Sequence, residues 1–274
     1  MLKAYSFDVD SNLYFTDTTI FLDRLWKNGR SKIEVSQQEY EQFIKDKEHY
    51  RHVNGDIEES MINFKIPWSY EKAVFDAISK GNLWPSFSKQ IEAKRTGSPT
   101  QKNTARGNSV EELKNTDRKI IYNVLTESQR KDLIDSMKER LWIYRNNNDD
   151  FFIETYLNNN MYSPCSNLAF LTSIHKTLSD SMSDRKNASF ERFVLHSKWV
   201  FHWYYWSDFL RTRKIRIGFS DDTTKNIEWL HHFIHTKDTG LMRKYPEVLF
   251  RLYDTSEATS KPKKFIYTNT NDQE

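Results

Sequence analysis

Short apolar runs alternate with polar stretches along this chain, and two of the runs end on paired acids. Ala4-Tyr5-Ser6-Phe7 stops at Asp8-Val9-Asp10, and Lys214-Ile215-Arg216-Ile217-Gly218-Phe219 breaks into Ser220-Asp221-Asp222-Thr223-Thr224. Both runs are short, rich in β-branched or aromatic residues and bounded by turn-formers, so both predict strands. Ile227, Leu230 and Phe233 follow the second at helical spacing, which predicts a strand-to-helix step. Residues two apart in a strand share a face, so Asp8 and Asp10 are expected side by side at the carboxyl end of the first strand.

Elsewhere the pattern fills in the rest of an alternating order. The β-prone runs on either side of Asn28-Gly29 predict a hairpin turning at that pair. The stretch from Ser36 to about Lys80 is charged and helical in period, with Pro67 as a break. Ile121, Leu125, Leu133, Met137 and Leu141 predict helix between Asp117 and Arg145, and the polar run from Asn146 to Asp150 reads as a loop. Lys186 opens a further helical pattern through Phe190, Phe193 and Val194. Phe265-Ile266-Tyr267 predicts a last short strand within a segment, 256–274, that otherwise reads as a frayed tail.

Composition narrows the class. With 274 residues the chain is long enough for one large α/β domain carrying an insertion. The lack of a long apolar stretch or a signal-peptide pattern predicts a cytoplasmic protein that neither enters nor crosses a membrane. Cys165 is the single cysteine, so no internal disulfide forms, and it reads as a small buried residue. The net charge of +3 is the small difference between 41 cations and 38 anions, which argues against a uniform nucleic-acid surface.

Two carboxylates held close together repel unless a cation or shared proton offsets them, so the acid-tipped strands are candidate metal ligands. Open α/β sheets place ligands beyond the carboxyl ends of their strands, where both acid pairs would meet. Between them lies Thr104-Ala105-Arg106-Gly107-Asn108-Ser109, a hydroxyl and a glycine turn leading into a helix, whose start can hold a phosphate oxygen. In this order the segments resemble the haloacid dehalogenase superfamily of phosphotransferases. Phe7-Asp8-Val9-Asp10 resembles its first motif, Thr104-Ala105-Arg106-Gly107 its second and Gly218-Phe219-Ser220-Asp221-Asp222 its fourth, with weaker echoes at Tyr162-Ser163-Pro164-Cys165-Ser166 and Tyr253-Asp254-Thr255.

The resemblance implies a single domain over residues 1–274 with a three-layer Rossmann-like core and a mainly parallel sheet. Within it, residues 14–80 would form a flap β-hairpin plus a small helical insertion. It implies a phosphatase acting on a phosphorylated substrate, with Asp8 as nucleophile and Asp10 as general acid and base. Mg²⁺ would sit among Asp8, the Asp10 carbonyl, and Asp221 or Asp222. Thr104 would bond the phosphoryl group, Ala105 and Arg106 would line the substrate, and the required cation would be Lys186, with Lys198 as second choice and substrate contact.

Two features pull against this pattern. Pro99-Thr100-Gln101-Lys102-Asn103 stands where an apolar central strand is expected, and unpaired polar groups there would cost roughly 1–3 kcal/mol each. That composition predicts an edge position or a degraded second motif, and Ile120-Ile121-Tyr122-Asn123-Val124-Leu125-Thr126 is an alternative, although Thr126-Glu127-Ser128-Gln129 also reads as a helix cap. The second feature is segment 198–214, where Trp199, Trp203, Tyr204 and Trp206 interleave with cations. Such a pattern packs a core or stacks bases, and it supports an alternative in which a catalytically silent chain binds nucleic acid or a protein partner.

Overall fold

A computed structural model describes residues 2–10, 12–14, 16–65, 68–146, 148–204, 214–236, 239–256 and 263–267. Its strands are β1 (Leu2–Phe7), β2 (Ile20–Trp26), β3 (Gly29–Val35), β4 (Tyr50–His52), β5 (Thr100–Thr104), β6 (Met161–Pro164), β7 (Ile215–Asp221), β8 (Val248–Asp254) and β9 (Lys263–Tyr267). The helices are α1 (Gln37–Phe43), α2 (Ile57–Ser60), α3 (Trp68–Lys80), α4 (Pro85–Arg95), α5 (Val110–Asn123) and α6 (Glu127–Leu141). They continue with α7 (Asp149–Asn158), α8 (Leu168–Ser173), α9 (Met182–Tyr204), α10 (Thr224–His235) and α11 (Leu241–Lys244).

Six strands form the main sheet in the order β6-β5-β1-β7-β8-β9, with β6 to β8 parallel and β9 antiparallel at one edge. This is an α/β fold of Rossmann-like type. The pleat of β1 explains the helices on both faces. Leu2 and Ala4 point into a core with Phe190, Phe193 and Val194 of α9 and Ile227 and Leu230 of α10, whereas Tyr5 and Phe7 point into a core with Val74 of α3, Phe87 of α4 and Leu113 of α5. The chain runs from β1 outward through β5 to β6, then returns to the other side of β1 as β7. The order therefore reverses at β1, and ligands in such sheets bind beyond the strand ends at that reversal. Among the described residues no helix is long and apolar enough to cross a membrane.

Between β1 and α3 stands a second, three-stranded antiparallel sheet in the order β3-β2-β4. Its hairpin turns on Lys27 and Asn28, one position ahead of the expected pair, and Gly29 opens β3 opposite Trp26. β4 was not visible in the sequence pattern; it joins β2 where the buried Asp23 carboxylate pairs with Arg30 at 3.0 Å and accepts the Asn54 amide at 3.0 Å. Pro67, Asn147, residues 205–213 and 268–274 lie outside the described residues.

The helical stretch around 117–145 divides in two. Val124 to Thr126 interrupt it, and Thr126 caps α6 by accepting the Gln129 amide while Gln129 bonds back to the Thr126 amide. That reciprocal cap, with Ile120 to Asn123 inside α5, removes the alternative second motif. Asn148 likewise caps α7. On α9, Val200 and Phe201 are buried but Leu195, Trp199 and Trp203 are exposed, the two indoles packed at 5.3 Å between ring centres, so the aromatics are not buried all round the helix.

Candidate functional site

The parallel register of β1 and β7 sets Phe7 against Ser220, so Asp8, just beyond β1, and Asp221, the last residue of β7, fall side by side. The ladder continues one step further as the Asp8 amide donates to the Ser220 carbonyl at 2.9 Å. Lys186, in the second turn of α9, reaches between them, with Nζ 2.9 Å from Asp8 Oδ1 and 2.9 Å from Asp221 Oδ2. Asp222 completes a group in which Asp8, Asp221 and Asp222 each offer an oxygen within 4.8 Å of the others. All of these carboxylates but Asp222 are buried, as is Lys186.

Electrostatics follow from that crowding. Burial pushes the Asp8 carboxyl up to about 7, against the attraction of Lys186 and with Asp221 adding to the rise. Burial and the adjacent Asp221 and Asp8 push Asp222 well above the usual carboxylate range. For Lys186 burial acts against the ammonium, but Asp221 and Asp8 outweigh it and hold the proton more firmly than in a free lysine. Three carboxylates against one ammonium leave two negative charges when all are ionised. An all-oxygen donor set with that excess fits a hard divalent cation such as Mg²⁺.

Other side chains hold the cluster in place. Asn12, fully buried, donates to the Asp8 carbonyl at 2.9 Å and to Ser220 Oγ at 2.9 Å, while its own oxygen accepts from Ser86 and Thr255. It therefore ties the ends of β1, β7 and β8 to α4, a duty that nothing in its spacing announced. Asn226 donates to both oxygens of Asp221, and the Thr223 amide donates to Asp221 Oδ1 at 2.9 Å. Asn103 of β5 donates to the Lys186 carbonyl at 3.0 Å and so anchors the start of α9.

β5 sits between β1 and β6 with all five residues buried, neither at an edge nor broken. The expected penalty is absent because each polar side chain is paired. Gln101 accepts from Ser6 and donates to Ser163 and Ser189; Lys102 meets Asp117 at 2.9 Å, which also meets Lys94 at 3.0 Å. The following turn differs from expectation. Thr104 is buried and its hydroxyl accepts the Arg106 amide at 3.2 Å, while α5 starts only at Val110 and satisfies its own first turn through the Ser109–Glu112 reciprocal cap. The start of α5 is thus not a free anion site.

Asp10 lines the same cavity as Asp8 and its charge adds to the rise in the Asp8 pKa, but it is not among the acids grouped with Asp221 and Asp222. β1 ends at Phe7, the chain turns as the Leu13 and Tyr14 amides donate to the Val9 carbonyl, and both Asp10 oxygens meet Arg106, at 2.8 Å from Nε and 2.6 Å from Nη2. Arg106 is fully buried, stacked over Phe64 and Tyr70, and its Nη2 also donates to Thr16 and Thr18. Arg106 therefore faces Asp10 rather than open space. Lys198 lies three turns along α9 from Lys186, paired with Glu247 and packed over Tyr245, and has no part in the cluster. Burial pushes the Cys165 thiol up to about 12, which leaves it protonated and inert.

Above the acids opens a cavity of about 540 Å³. Its floor is Asp8, Asp10, Lys186, Asp222 and Asn226, with Ala105, Ser166 and Arg185 beside them. Its opposite wall comes from the segment between β1 and α3, through Ile20, Tyr40, Ile57, Met61 and Phe64. Arg185 was not singled out from the sequence, though its place immediately before Lys186 on a helix was the available signal. No family model matches this chain, and neither a curated protein nor a solved structure matches it.

Proposed function

We propose that this chain is a Mg²⁺-dependent phosphomonoester hydrolase organised as the haloacid dehalogenase resemblance implies, a three-layer domain with a flap hairpin and helical insertion. The observation that carries the reading is the single ammonium of Lys186 shared by Asp8 and Asp221 at 2.9 Å each, with Asp222 in the same group, at the reversal point of a parallel sheet. A buried group of acids with one cation is costly unless it serves a ligand.

In this reading Asp8 attacks phosphorus through a carboxylate oxygen while the ester oxygen departs on the opposite side, taking a proton from Asp10. The aspartyl phosphate is then cleaved by water, which gives its proton back to Asp10. Lys186 remains charged throughout and offsets the nucleophile and the transferred group. Asp8, Asp221 and Asp222 would hold the Mg²⁺, which supplies charge neutralisation of the phosphate oxygens when bound. Asp10 must exchange Arg106 for the substrate to do its part, a side-chain rotation coupled to substrate arrival.

That same ion pair is the observation that favours the second reading, a silent binding protein, because both oxygens of the acid–base candidate are occupied. The two readings part in one experiment: hydrolysis of 4-nitrophenyl phosphate with and without Mg²⁺, beside the Asp8→Asn variant. Metal-dependent turnover that disappears in the variant supports the hydrolase; metal-dependent turnover that persists in it overturns Asp8 as nucleophile.

A further inference from the structure

Among the described residues, two cations line the cleft, Lys186 and Arg185. Lys186 is shared by Asp8 and Asp221, and Arg106 is spent on Asp10. Arg185 lines the same cavity, is 4% exposed, and among the described residues has no carboxylate within ion-pair distance. Its Nη1 donates to the Cys165 carbonyl at 3.2 Å and its Nη2 to the Leu178 carbonyl, while its buried Nε has no partner. Neutral carbonyls orient a guanidinium without offsetting its charge, which leaves Arg185 with a free donor for an anion. Across the cavity, Ile20, Tyr40, Ile57, Met61 and Phe64 present a mostly apolar wall, and the Tyr40 hydroxyl already meets His52 at 3.0 Å. A polyhydroxylated leaving group would surrender its water there and gain little in return.

We propose that the substrate is an aryl phosphomonoester, its phosphate gripped by Arg185 beside Lys186 and its ring lying on the wall of Ile57, Met61 and Phe64. This rests on the hydrolase reading for its chemistry but not for its binding. A cavity of this size accommodates a phosphate with a ring system of one or two rings. The guanidinium fork suits a tetrahedral oxyanion better than an ammonium does, because it can donate from two nitrogens at once.

The test is calorimetric titration of the Asp8→Asn protein in Mg²⁺ with 1-naphthyl phosphate, glucose 6-phosphate and inorganic phosphate. Naphthyl phosphate should bind at least tenfold tighter than glucose 6-phosphate. Ile57→Asn, at a half-exposed position, should abolish that preference without adding charge to the cavity. Arg185→Gln should weaken inorganic phosphate at least tenfold, with Arg185→Lys intermediate. Equal affinity for the two esters, no binding of any probe, or unchanged phosphate affinity in a folded Arg185→Gln protein overturns the proposal. Should Arg185→Gln fail to fold, the Ile57→Asn comparison of the two esters decides alone. Tight naphthyl phosphate binding by a wild-type protein that never hydrolyses it would remove the hydrolase reading and leave this one standing; equal turnover of both esters would do the reverse.

Discussion

Two clusters of buried lysine and aspartate lie on the same sheet and resolve the same electrostatic problem in opposite ways. Around Lys186 three acids share one cation at the mouth of a cavity. Around Asp117 two cations, Lys94 and Lys102, share one acid, and all three side chains are sealed at 1% exposure or less. The sealed cluster has no room for a ligand, so its excess charge is relieved internally. Burial draws the Lys94 pKa down, against Asp117, while Lys102 and Lys94 overcome burial to draw Asp117 down. The open cluster faces a cavity instead, and in the proposed function its excess would be met there by a cation. Buried ions by themselves do not mark a functional site; what sets the open cluster apart is an uncompensated excess facing a cavity.

The sharpest break of this comparison is chemical. Asp8→Asn should reduce Mg²⁺-dependent hydrolysis by on the order of 10⁴-fold or more, measured as kcat on an aryl phosphate, whereas Asp117→Asn should leave kcat of the folded fraction near that of the native protein. Next in size is stability. Asp117→Asn leaves two buried ammonium groups without an anion and should cost about 3–5 kcal/mol in denaturant unfolding. In chelator above pH 7, Asp8→Asn should raise the unfolding midpoint instead, because it removes one of three mutually repelling charges. A shift of the same sign in both variants would dissolve the distinction.

Proton and metal linkage gives a third, smaller effect. The Asp8 pKa is raised from its ordinary value to about 7, so the folded state holds that proton more tightly than the unfolded chain does. The resulting stability is fully present below about pH 4 and is lost as pH rises through 7 in metal-free buffer. Saturating Mg²⁺ should restore it, by about 2.7 kcal/mol at a hundredfold excess over Kd. Melting curves at pH 5 and pH 8 with and without Mg²⁺ would show the cation effect growing with pH; equal effects at both would count against the acids as its ligands. The smallest expected change is Lys94→Met, which leaves a neutral Lys102–Asp117 pair and should alter stability by less than about 1.5 kcal/mol.

What the sequence disclosed was local. Strand-end acids at Asp8 and Asp221 and the cation at Lys186 were legible because each sits at a transition between pattern types. Two of the misreadings share a cause: partners that are remote in the chain. β5 looks too polar for a sheet interior until Ser6, Ser163, Ser189 and Asp117, none within a dozen residues, come to meet it. Asp10 reads as a free companion of Asp8, but Arg106, 96 residues on, holds both its oxygens. β4 has only three residues, too few to show an alternation.

The polar makeup of β5 also guards against slippage. Along an apolar strand, a shift of one residue exchanges one greasy side chain for another at modest cost. Here Gln101 fits only the serines under α9 and Lys102 only the aspartate of α5, on opposite faces of the pleat. A displaced strand would bring an ammonium to the serines and an amide to the aspartate, so alignment of Tyr5 with Thr100 is held to the residue. The same lettering that disguised this strand sets how far along the sheet Ala105 emerges into the cavity that Asp8 lines.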